Sequence, residues 1–141
     1  MVRKLQSPLI TVITVVLNDE QNIEKTILSV LEQNYKNIQY IIIDGDSRDQ
    51  TKNIINKYKD KIDVLKSEKD NGIYDAFNKG LDLAKGDLIG FVNSGDTLTR
   101  ESLSILEKYH HNHSKADFFF GAVKKHWGIL YGYKRWKIHF T

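Results

Sequence analysis

The stretch Gly-Asp-Leu-Ile-Gly-Phe-Val-Asn-Ser-Gly-Asp at residues 86–96 decides the fold class of this chain. Its apolar centre predicts a buried strand, which stops abruptly at small and polar residues ending in the carboxylate of Asp96. The stretch 38–47 has the same design, with an apolar run closed by the acidic turn 44–47. Open α/β sheets bind ligands outside the carboxyl ends of their strands. Two acidic strand ends therefore predict one crevice with a ligand site.

Apolar runs and helical repeats alternate along the rest of the chain, which is typical of a parallel sheet covered by crossover helices. The expected fold is therefore α/β, with a mostly parallel central sheet and helices on both faces. Predicted helices start near residues 18–19, cover 50–58, run from the turn 70–72 to residue 86, and cover 100–110. We predict strands at 9–16, 38–43, 62–65, 88–92 and 118–123, with a weaker strand pattern at 128–133.

Length and composition describe a folded domain. A chain of 141 residues is one domain by length, and 40% hydrophobic with 28% charged residues is ordinary for a globular protein. With no cysteine, disulfides and thiolate metal sites are excluded, which fits a reducing cytosol. The apolar stretch 9–17 is rich in Ile, Val and Thr and lacks a small-residue cleavage site, so it predicts a buried strand rather than a secretion signal.

The last part of the chain is basic and aromatic. Of the 21 basic and 18 acidic residues, five basic and no acidic ones follow Asp117, which leaves residues 1–117 with a net charge of −2. Trp and Tyr beside Lys and Arg suit a membrane surface, or stacking on sugars or bases. The alternative is an ordinary set of strands and loops with solvated lysines.

Each acidic turn has a chemical and a structural interpretation. Carboxylates near Asp44 and Asp46 could accept hydrogen bonds from a nucleobase or ribose, whereas Asp and Ser there could simply cap a helix. Asp96 could hold Mg²⁺ or Mn²⁺ against a diphosphate, because magnesium often takes one or two protein carboxylates and completes its shell with phosphates and water. The alternative for Asp96 is again a helix cap.

Five blocks in this order closely resemble family 2 glycosyltransferases of the GT-A fold, and they span about residues 8–105. The blocks are Ile-Thr-Val-Ile-Thr-Val-Val-Leu-Asn (10–18), Ser-Val-Leu-Glu-Gln-Asn-Tyr (29–35), Ile-Ile-Asp-Gly-Asp-Ser-Arg-Asp-Gln-Thr (42–51), Asp-Asn-Gly-Ile-Tyr-Asp-Ala-Phe-Asn-Lys-Gly (70–80) and the opening stretch 86–96.

The resemblance implies transfer of a sugar, with inversion, from a nucleotide-diphosphate donor to an acceptor hydroxyl, usually in surface polysaccharide or glycolipid synthesis. It implies that Asp96 faces the diphosphate and its Mn²⁺ or Mg²⁺. It also implies a set of residues that bind the nucleotide-sugar: Val15, Val16, Asn18, Asp44, Asp46, Asn93 and Ser94, with Asn78 and Lys79 on a flanking helix in a supporting role.

This chain departs from the family pattern at three places. Many relatives carry a second acid where Gly45 stands, an Asp-x-Asp-Asp run where this chain has 93–96, and in some cases an aromatic ring at Leu17. The first departure leaves the choice of base open, uridine or otherwise. The second predicts a metal dependence that is weakened or carried by Asp96 alone, and the third predicts loss of the stacking of the base on an aromatic ring at Leu17.

The family's acceptor base lies downstream of the metal motif, and with no carboxylate after Asp117 no catalytic base is named here. We therefore expect a single GT-A domain over 1–141 that is incomplete at its C-terminus. Two rivals stay open: a non-catalytic module that binds nucleotide-sugars, and a phosphoacceptor receiver domain, which would need an acidic pair where the chain has Asn18 and Asp19.

The expected partners follow from the same resemblance. They are a nucleotide-diphosphate sugar and an acceptor glycan or lipid-linked saccharide. The basic aromatic tail suggests peripheral contact with a lipid-linked acceptor or an anionic membrane, so the protein would work in the cytoplasm near the inner membrane face. Nucleic acid is not expected, because the body of the chain is slightly acidic and carries no recognised nucleic-acid motif.

Overall fold

The computed structural model describes residues 7–119 and 121, together with the backbone of 123–124 and 130–131. In chain order the elements are β1 (Ile10–Val16), α1 (Ile23–Leu31), β2 (Ile38–Asp44), α2 (Thr51–Asn56), a 3₁₀ turn (Lys59–Lys61), β3 (Val64–Ser67), α3 (Ile73–Leu83), β4 (Leu88–Phe91), α4 (Ser102–Asn112), β5 (Val123–Lys124) and β6 (Leu130–Tyr131).

The first four strands form one parallel sheet in the order β3-β2-β1-β4. The strand β1 lies between β2 and β4, and all seven of its residues are buried. Burial on both faces explains why its sequence is an almost continuous run of Val, Ile and Thr rather than an alternating one. This sheet confirms the α/β fold predicted from the alternation of strands and helices.

The two faces of the sheet have separate hydrophobic cores. On one face, residues such as Val12 and Ile42 pack with the inward sides of α1, α2 and α4, represented by Ile27, Ile55 and Leu103. The other face is covered by α3, whose Ala76 packs with Ile13, Val15, Ile41 and Ile43. In the part of the chain that the structure describes, three helices therefore lie on one face of the sheet and one on the other.

Close packing of α3 on the sheet depends on Gly80. A Cβ at this position would lie 2.6 Å from the Cγ2 atom of Ile13, which is fully buried in β1. The glycine therefore lets the helix backbone approach the strand. This contact fixes α3 over β1 and so places the N-terminal end of the helix at the carboxyl edge of the sheet.

The predicted strand at 118–123 is wrong in its bounds. Phe118 and Phe119 are not in a strand, and the side chain of Phe118 is 77% exposed. The short strand β5 begins at Val123 and pairs antiparallel with β6, which lies inside the weaker predicted stretch 128–133. A run of three phenylalanines favours a strand by propensity, but strand formation needs a pairing partner, and hydrogen bonding places that partner later in the chain.

Candidate functional site

Three loops meet at the carboxyl edge of the parallel sheet, after β1, β2 and β4. Every described residue with a positive φ lies in these loops or at the start of α3: Asn18 (50°), Asp46 (69°), Gly72 (106°) and Gly95 (94°). Non-glycine residues adopt this conformation rarely, and such backbone is concentrated at functional sites. The conformation of this edge therefore marks it as the candidate site.

Asn18 joins the loop after β1 to the loop after β2. Its backbone N–H donates to Ser47 Oγ at 2.8 Å, and its side-chain Oδ1 accepts the N–H of Arg48 at 2.8 Å. These two bonds hold Asn18 in its left-handed conformation, which an asparagine tolerates better than most residues. Asn18 thus lies in the cleft as a fixed part of the backbone framework.

Asp19 joins the loop after β1 to the loop after β4. Its Oδ2 accepts the hydroxyl of Ser94 at 2.6 Å, and its Oδ1 accepts the side-chain amide of Asn22 at 2.7 Å. Its backbone N–H donates to Thr51 Oγ1 at 2.9 Å. Since both carboxylate oxygens are engaged, Asp19 acts as a brace that positions Ser94.

The turn after β4 is fixed to α1 through its backbone. The hydroxyl of Thr26 donates to the carbonyl of Asp96 at 2.8 Å and accepts the N–H of Gly95 at 3.1 Å. These bonds involve only the backbone of the turn. Among the described residues, none is hydrogen-bonded to the exposed carboxylate of Asp96. In the same turn, Asn93 Oδ1 is buried and has no hydrogen-bond partner in the described structure.

A cleft of about 440 Å³ opens between the loops after β1 and β4 and the start of α3. That volume falls within the range of small-molecule sites. Its lining consists of residues 15–19 at the end of β1, Asn93 and Ser94 after β4, and four residues at the start of α3: Asp70, Gly72, Ile73 and Ala76.

The structure brings five of the predicted binding residues to this cleft: Val15, Val16, Asn18, Asn93 and Ser94. Asp96 follows them in the same turn but does not itself line the cleft. The binding roles of all six stay predictions.

Asp44 lies beneath the site rather than in the cleft. It is fully buried, its two carboxylate oxygens accept the N–H of Ser47 at 3.2 and 3.3 Å, and Oδ2 also accepts the hydroxyl of Ser67 at 2.5 Å. This geometry does not place the carboxylate of Asp44 in contact with the cleft. Its part in nucleotide binding stays a prediction.

Asp46, Asn78 and Lys79 also lie outside the lining of the cleft. Asp46 forms an ion pair with Lys52, whose ammonium lowers the pKa of the Asp46 carboxyl. Asn78 and Lys79 are on α3, the helix that flanks the site.

Lys79 anchors the loop that leads into α3. Its ammonium pairs with Glu68 at 3.0 Å and Asp75 at 3.2 Å and donates to the carbonyl of Lys69 at 3.1 Å. The pKa of Lys79 is raised, first by its bond to Glu68, and the pKa values of both carboxyls are lowered. Because Asp75 also accepts the N–H of Asn71 at 3.0 Å, the whole loop 68–72 is held in place.

Sequence reasoning missed the cleft residues that belong to α3 and its approach. The sequence predicts only a turn and cap at Asp70 and Gly72. Gly72 is the N-cap residue of α3, but no side chain caps this helix, and Asp70 Oδ1 instead accepts the N–H of Gly72 at 3.0 Å within the turn. Ile73 and Ala76 were placed on the helix without a site role. The available signal was position, since α3 follows a loop at the same sheet edge as the acidic turns.

The described side chains could bind a divalent cation only if a diphosphate and water supplied most of its ligands. No group of three or more His, Cys, Asp or Glu side chains that could hold a metal occurs in the described ranges. The exposed carboxylate of Asp96 and the unpartnered Oδ1 of Asn93 are oxygen donors of the kind that Mg²⁺ and Mn²⁺ prefer. These residues fit a metal held chiefly by a diphosphate and water.

The helices of the described part of the chain are each too short or too polar to cross a membrane.

The family model described as Glycosyl transferase family 2 matches residues 11–140. An Escherichia coli relative, named UDP-Glc:alpha-D-GlcNAc-diphosphoundecaprenol beta-1,3-glucosyltransferase WfaP, is 42% identical over 89 residues, covering 62% of this chain and 36% of that protein. Residues 1–349 of TarS from S. aureus, solved in complex with UDP-GlcNAc, have a TM-score of 0.70 and 25% identity, covering 74% of this chain and 32% of that one.

The fold is shared with a further solved enzyme. Mannosyltransferase PcManGT from Pyrobaculum calidifontis, solved with GDP-Man and Mn²⁺, has a TM-score of 0.69 at 22% identity, covering 75% of this chain and 33% of that one. The chain thus spans about a third of the length of WfaP, of residues 1–349 of TarS and of the solved PcManGT chain. The family match confirms the resemblance drawn from the five sequence blocks: the chain belongs to glycosyl transferase family 2.

Proposed function

We propose that this member of glycosyl transferase family 2 binds a nucleotide-diphosphate sugar in the cleft at the carboxyl edge of its sheet and transfers the sugar, with inversion, to an acceptor hydroxyl. The observation that carries the proposal is the cleft itself, because it joins the ends of β1 and β4 to the start of α3. Parallel α/β sheets bind nucleotides at this position.

The turn after β4 suits the diphosphate. Ser94 and Asn93 line the cleft there, and Asp96 follows in the same turn. Asp96, with Asn93 Oδ1, would hold Mn²⁺ or Mg²⁺, which when bound offsets the charge that develops on the departing diphosphate. The chain's own part is to hold the turn rigid through Thr26 and Asp19, so that these oxygens need not reorganise during the reaction.

Catalysis in this account is positioning together with electrostatic stabilisation of the leaving group. The donor would lie along the end of β1, with the diphosphate toward β4 and the nucleoside toward β2, because β1 lies between those two strands. The sugar would then be presented to an acceptor hydroxyl at the mouth of the cleft.

We propose a glycan or a lipid-linked saccharide as acceptor, in the synthesis of a surface polysaccharide or glycolipid. The name of the E. coli relative gives a diphosphoundecaprenol-linked sugar as the acceptor of that protein. Work on such an acceptor would take place in the cytoplasm at the inner face of the membrane.

The basic aromatic tail is the proposed membrane contact, and most of it lies outside the described residues. Lysine and arginine beside Trp and Tyr attract anionic lipid, each basic residue contributing about 1 kcal/mol near the surface. We expect the full chain to co-sediment with anionic liposomes, and a variant lacking 124–141 to co-sediment much less. Equal co-sedimentation of both proteins would exclude the tail as the contact.

The proposed reaction is tested by combining calorimetry with a product assay. The chain should bind a nucleotide-sugar in the presence of Mn²⁺, and an enzyme preparation with acceptor should release the nucleoside diphosphate and form the glycoside of inverted anomeric configuration. Binding without transfer and without donor hydrolysis would favour the rival function, a non-catalytic nucleotide-sugar-binding module. Absence of binding would refute both.

A further inference from the structure

Gly45 and Asp70 share one small space at the side of the cleft nearest β2. A Cβ at position 45 would lie 2.5 Å from Asp70 Oδ2 and 3.4 Å from the Cδ1 atom of Leu17. The missing side chain of Gly45 is therefore what lets the carboxylate of Asp70 lie against the end of β2.

Asp70 brings a free carboxylate oxygen to the cleft. Its Oδ1 accepts the N–H of Gly72 at 3.0 Å, whereas no donor among the described residues is bonded to Oδ2. The other acidic residue of the lining, Asp19, has both oxygens engaged by Ser94 and Asn22. Among the described lining residues, Asp70 is thus the acid with an oxygen left for a ligand.

The surface beside Asp70 is apolar. Leu17 and Ile73 both line the cleft and are 55% and 50% exposed, respectively. Exposed leucine and isoleucine in a cleft offer a flat ring an apolar surface to lie on, while the carboxylate at their edge offers a hydrogen-bond acceptor. The combination fits the face and the edge of a nucleobase.

The apolar surface and the carboxylate of Asp70 lie where the proposed orientation of the bound donor places the base. The cleft runs across the end of β1, with Asn93 and Ser94 on its β4 side and Asp70 beside Gly45 on its β2 side. If the diphosphate lies near β4, the base lies near β2.

We infer that Asp70, lodged in the space left by Gly45, is the specificity-determining residue that accepts the ring N–H of the nucleobase. This inference rests on the proposed function. Uracil and guanine carry a hydrogen on the ring nitrogen of the pairing edge, whereas cytosine and adenine present a lone pair there. A carboxylate accepts from the first pair and repels the second, and a site built around such a bond rejects ligands that lack it.

The loop that carries Asp70 is preorganised for this task. Lys79 fixes Glu68 and the carbonyl of Lys69, and Asp75 fixes the N–H of Asn71, so the residues on either side of Asp70 are tied to α3. The backbone N–H of Glu68 also donates to the carbonyl of Asp44 at 3.0 Å, which ties the loop to the end of β2.

The first test is the affinity of the chain for four diphosphates, UDP, GDP, CDP and ADP, measured by calorimetry with Mn²⁺. The wild-type chain should bind UDP or GDP at least about 10-fold more tightly than CDP and ADP. This difference in affinity corresponds to the free energy of one hydrogen bond to a charged group. Asp70→Asn keeps the bond from Gly72 but replaces the free acceptor with a donor. It should lose about 10-fold in affinity for the preferred diphosphate and bind CDP more tightly than the wild type does.

The second test displaces the carboxylate without removing it. Gly45→Ala places a methyl group where Asp70 Oδ2 lies, so the flexible side chain must move and the preference among bases should fall as in Asp70→Asn. Two matched controls should leave affinity unchanged: Gly90→Ala, with nothing within 4 Å of the added Cβ, and Asp82→Asn, at an exposed position of α3.

The outcomes separate this inference from the proposed function. If the wild-type chain binds none of the four diphosphates, the proposed function fails and the inference fails with it. If it binds them all equally, or if Asp70→Asn keeps the wild-type affinity and base preference, the inference about Asp70 is refuted while nucleotide binding stands.

Discussion

Asp96→Ala should lower the donor-dependent turnover of a complete enzyme at least about 100-fold, because it removes the carboxylate proposed to hold the divalent cation at the departing diphosphate. Loss of one group that stabilises charge in a transition state costs about this much. The fold should be unchanged, since Asp96 is bonded to Thr26 through its backbone carbonyl and its side chain is exposed. The measurement is the initial rate of nucleoside diphosphate release with saturating donor and Mn²⁺.

A matched control is Asp82→Ala, which removes an exposed carboxylate from α3 outside the cleft lining. This variant should keep wild-type turnover, and both variants should keep the wild-type melting temperature. If Asp96→Ala turns over near the wild-type rate with saturating Mn²⁺, Asp96 is not the metal ligand.

Asp44→Ala should destabilise the fold, with a loss in the free energy of unfolding of about 2–3 kcal/mol. The substitution leaves the buried N–H of Ser47 and the hydroxyl of Ser67 without their acceptor, at the junction of β2, β3 and the turn after β2. The unmet N–H of Ser47 lies in the interior and carries the full cost of its lost hydration, whereas Ser67 is exposed and its hydroxyl can bond to water. Urea unfolding followed by circular dichroism measures the effect.

The comparison that interprets this result is Ser67→Ala, which removes one of the donors rather than the acceptor and should cost about 1 kcal/mol. If Asp44→Ala were as stable as the wild type but bound nucleotide far more weakly, Asp44 would contact the ligand directly. The prediction from the sequence that Asp44 binds the nucleoside would then be confirmed.

The strands of the parallel sheet were predictable because the relevant physics is local. The apolar runs at β1 and β2 are too continuous for an amphipathic element, and polar turns bound them. The strand ends followed from the same patterns to within a few residues. The error at 118–123 arose because an apolar run indicates a strand but does not identify its pairing partner.

The two acidic strand ends look alike in sequence and differ in space. Tyr40, Ile42 and Asp44 alternate on one face of β2, where the first two belong to the core under α1 and α2. Asp44 continues that alternation and is buried, which the two-residue period of a strand could have indicated. Asp96 lies beyond the end of β4 in a turn, so no strand period determines its direction.

The contact of Asp70 with Gly45 was beyond sequence reasoning because it depends on register. Asp44 pairs with Ser67, so the chain leaving β3 passes beside the end of β2 three residues before Asp70. Pairing of β3 with β2 is a property of the assembled sheet, and neither segment alone specifies it. The same holds for Gln33, which follows α1: its buried amide donates to the carbonyl of Thr99 before α4 and accepts the N–H of Leu103 in the first turn of α4.

The central claim is that the cleft between the ends of β1 and β4 and the start of α3 binds a nucleoside diphosphate. It is tested most directly by titrating the isotope-labelled chain with UDP and with GDP in the presence of Mg²⁺ while following its backbone amide resonances. We expect saturable shifts concentrated at Leu17, Asn18, Gly72, Asn93 and Ser94, with little change at the 3₁₀ turn Lys59–Lys61. Shifts centred away from these loops, or no shifts with either nucleotide, would contradict it.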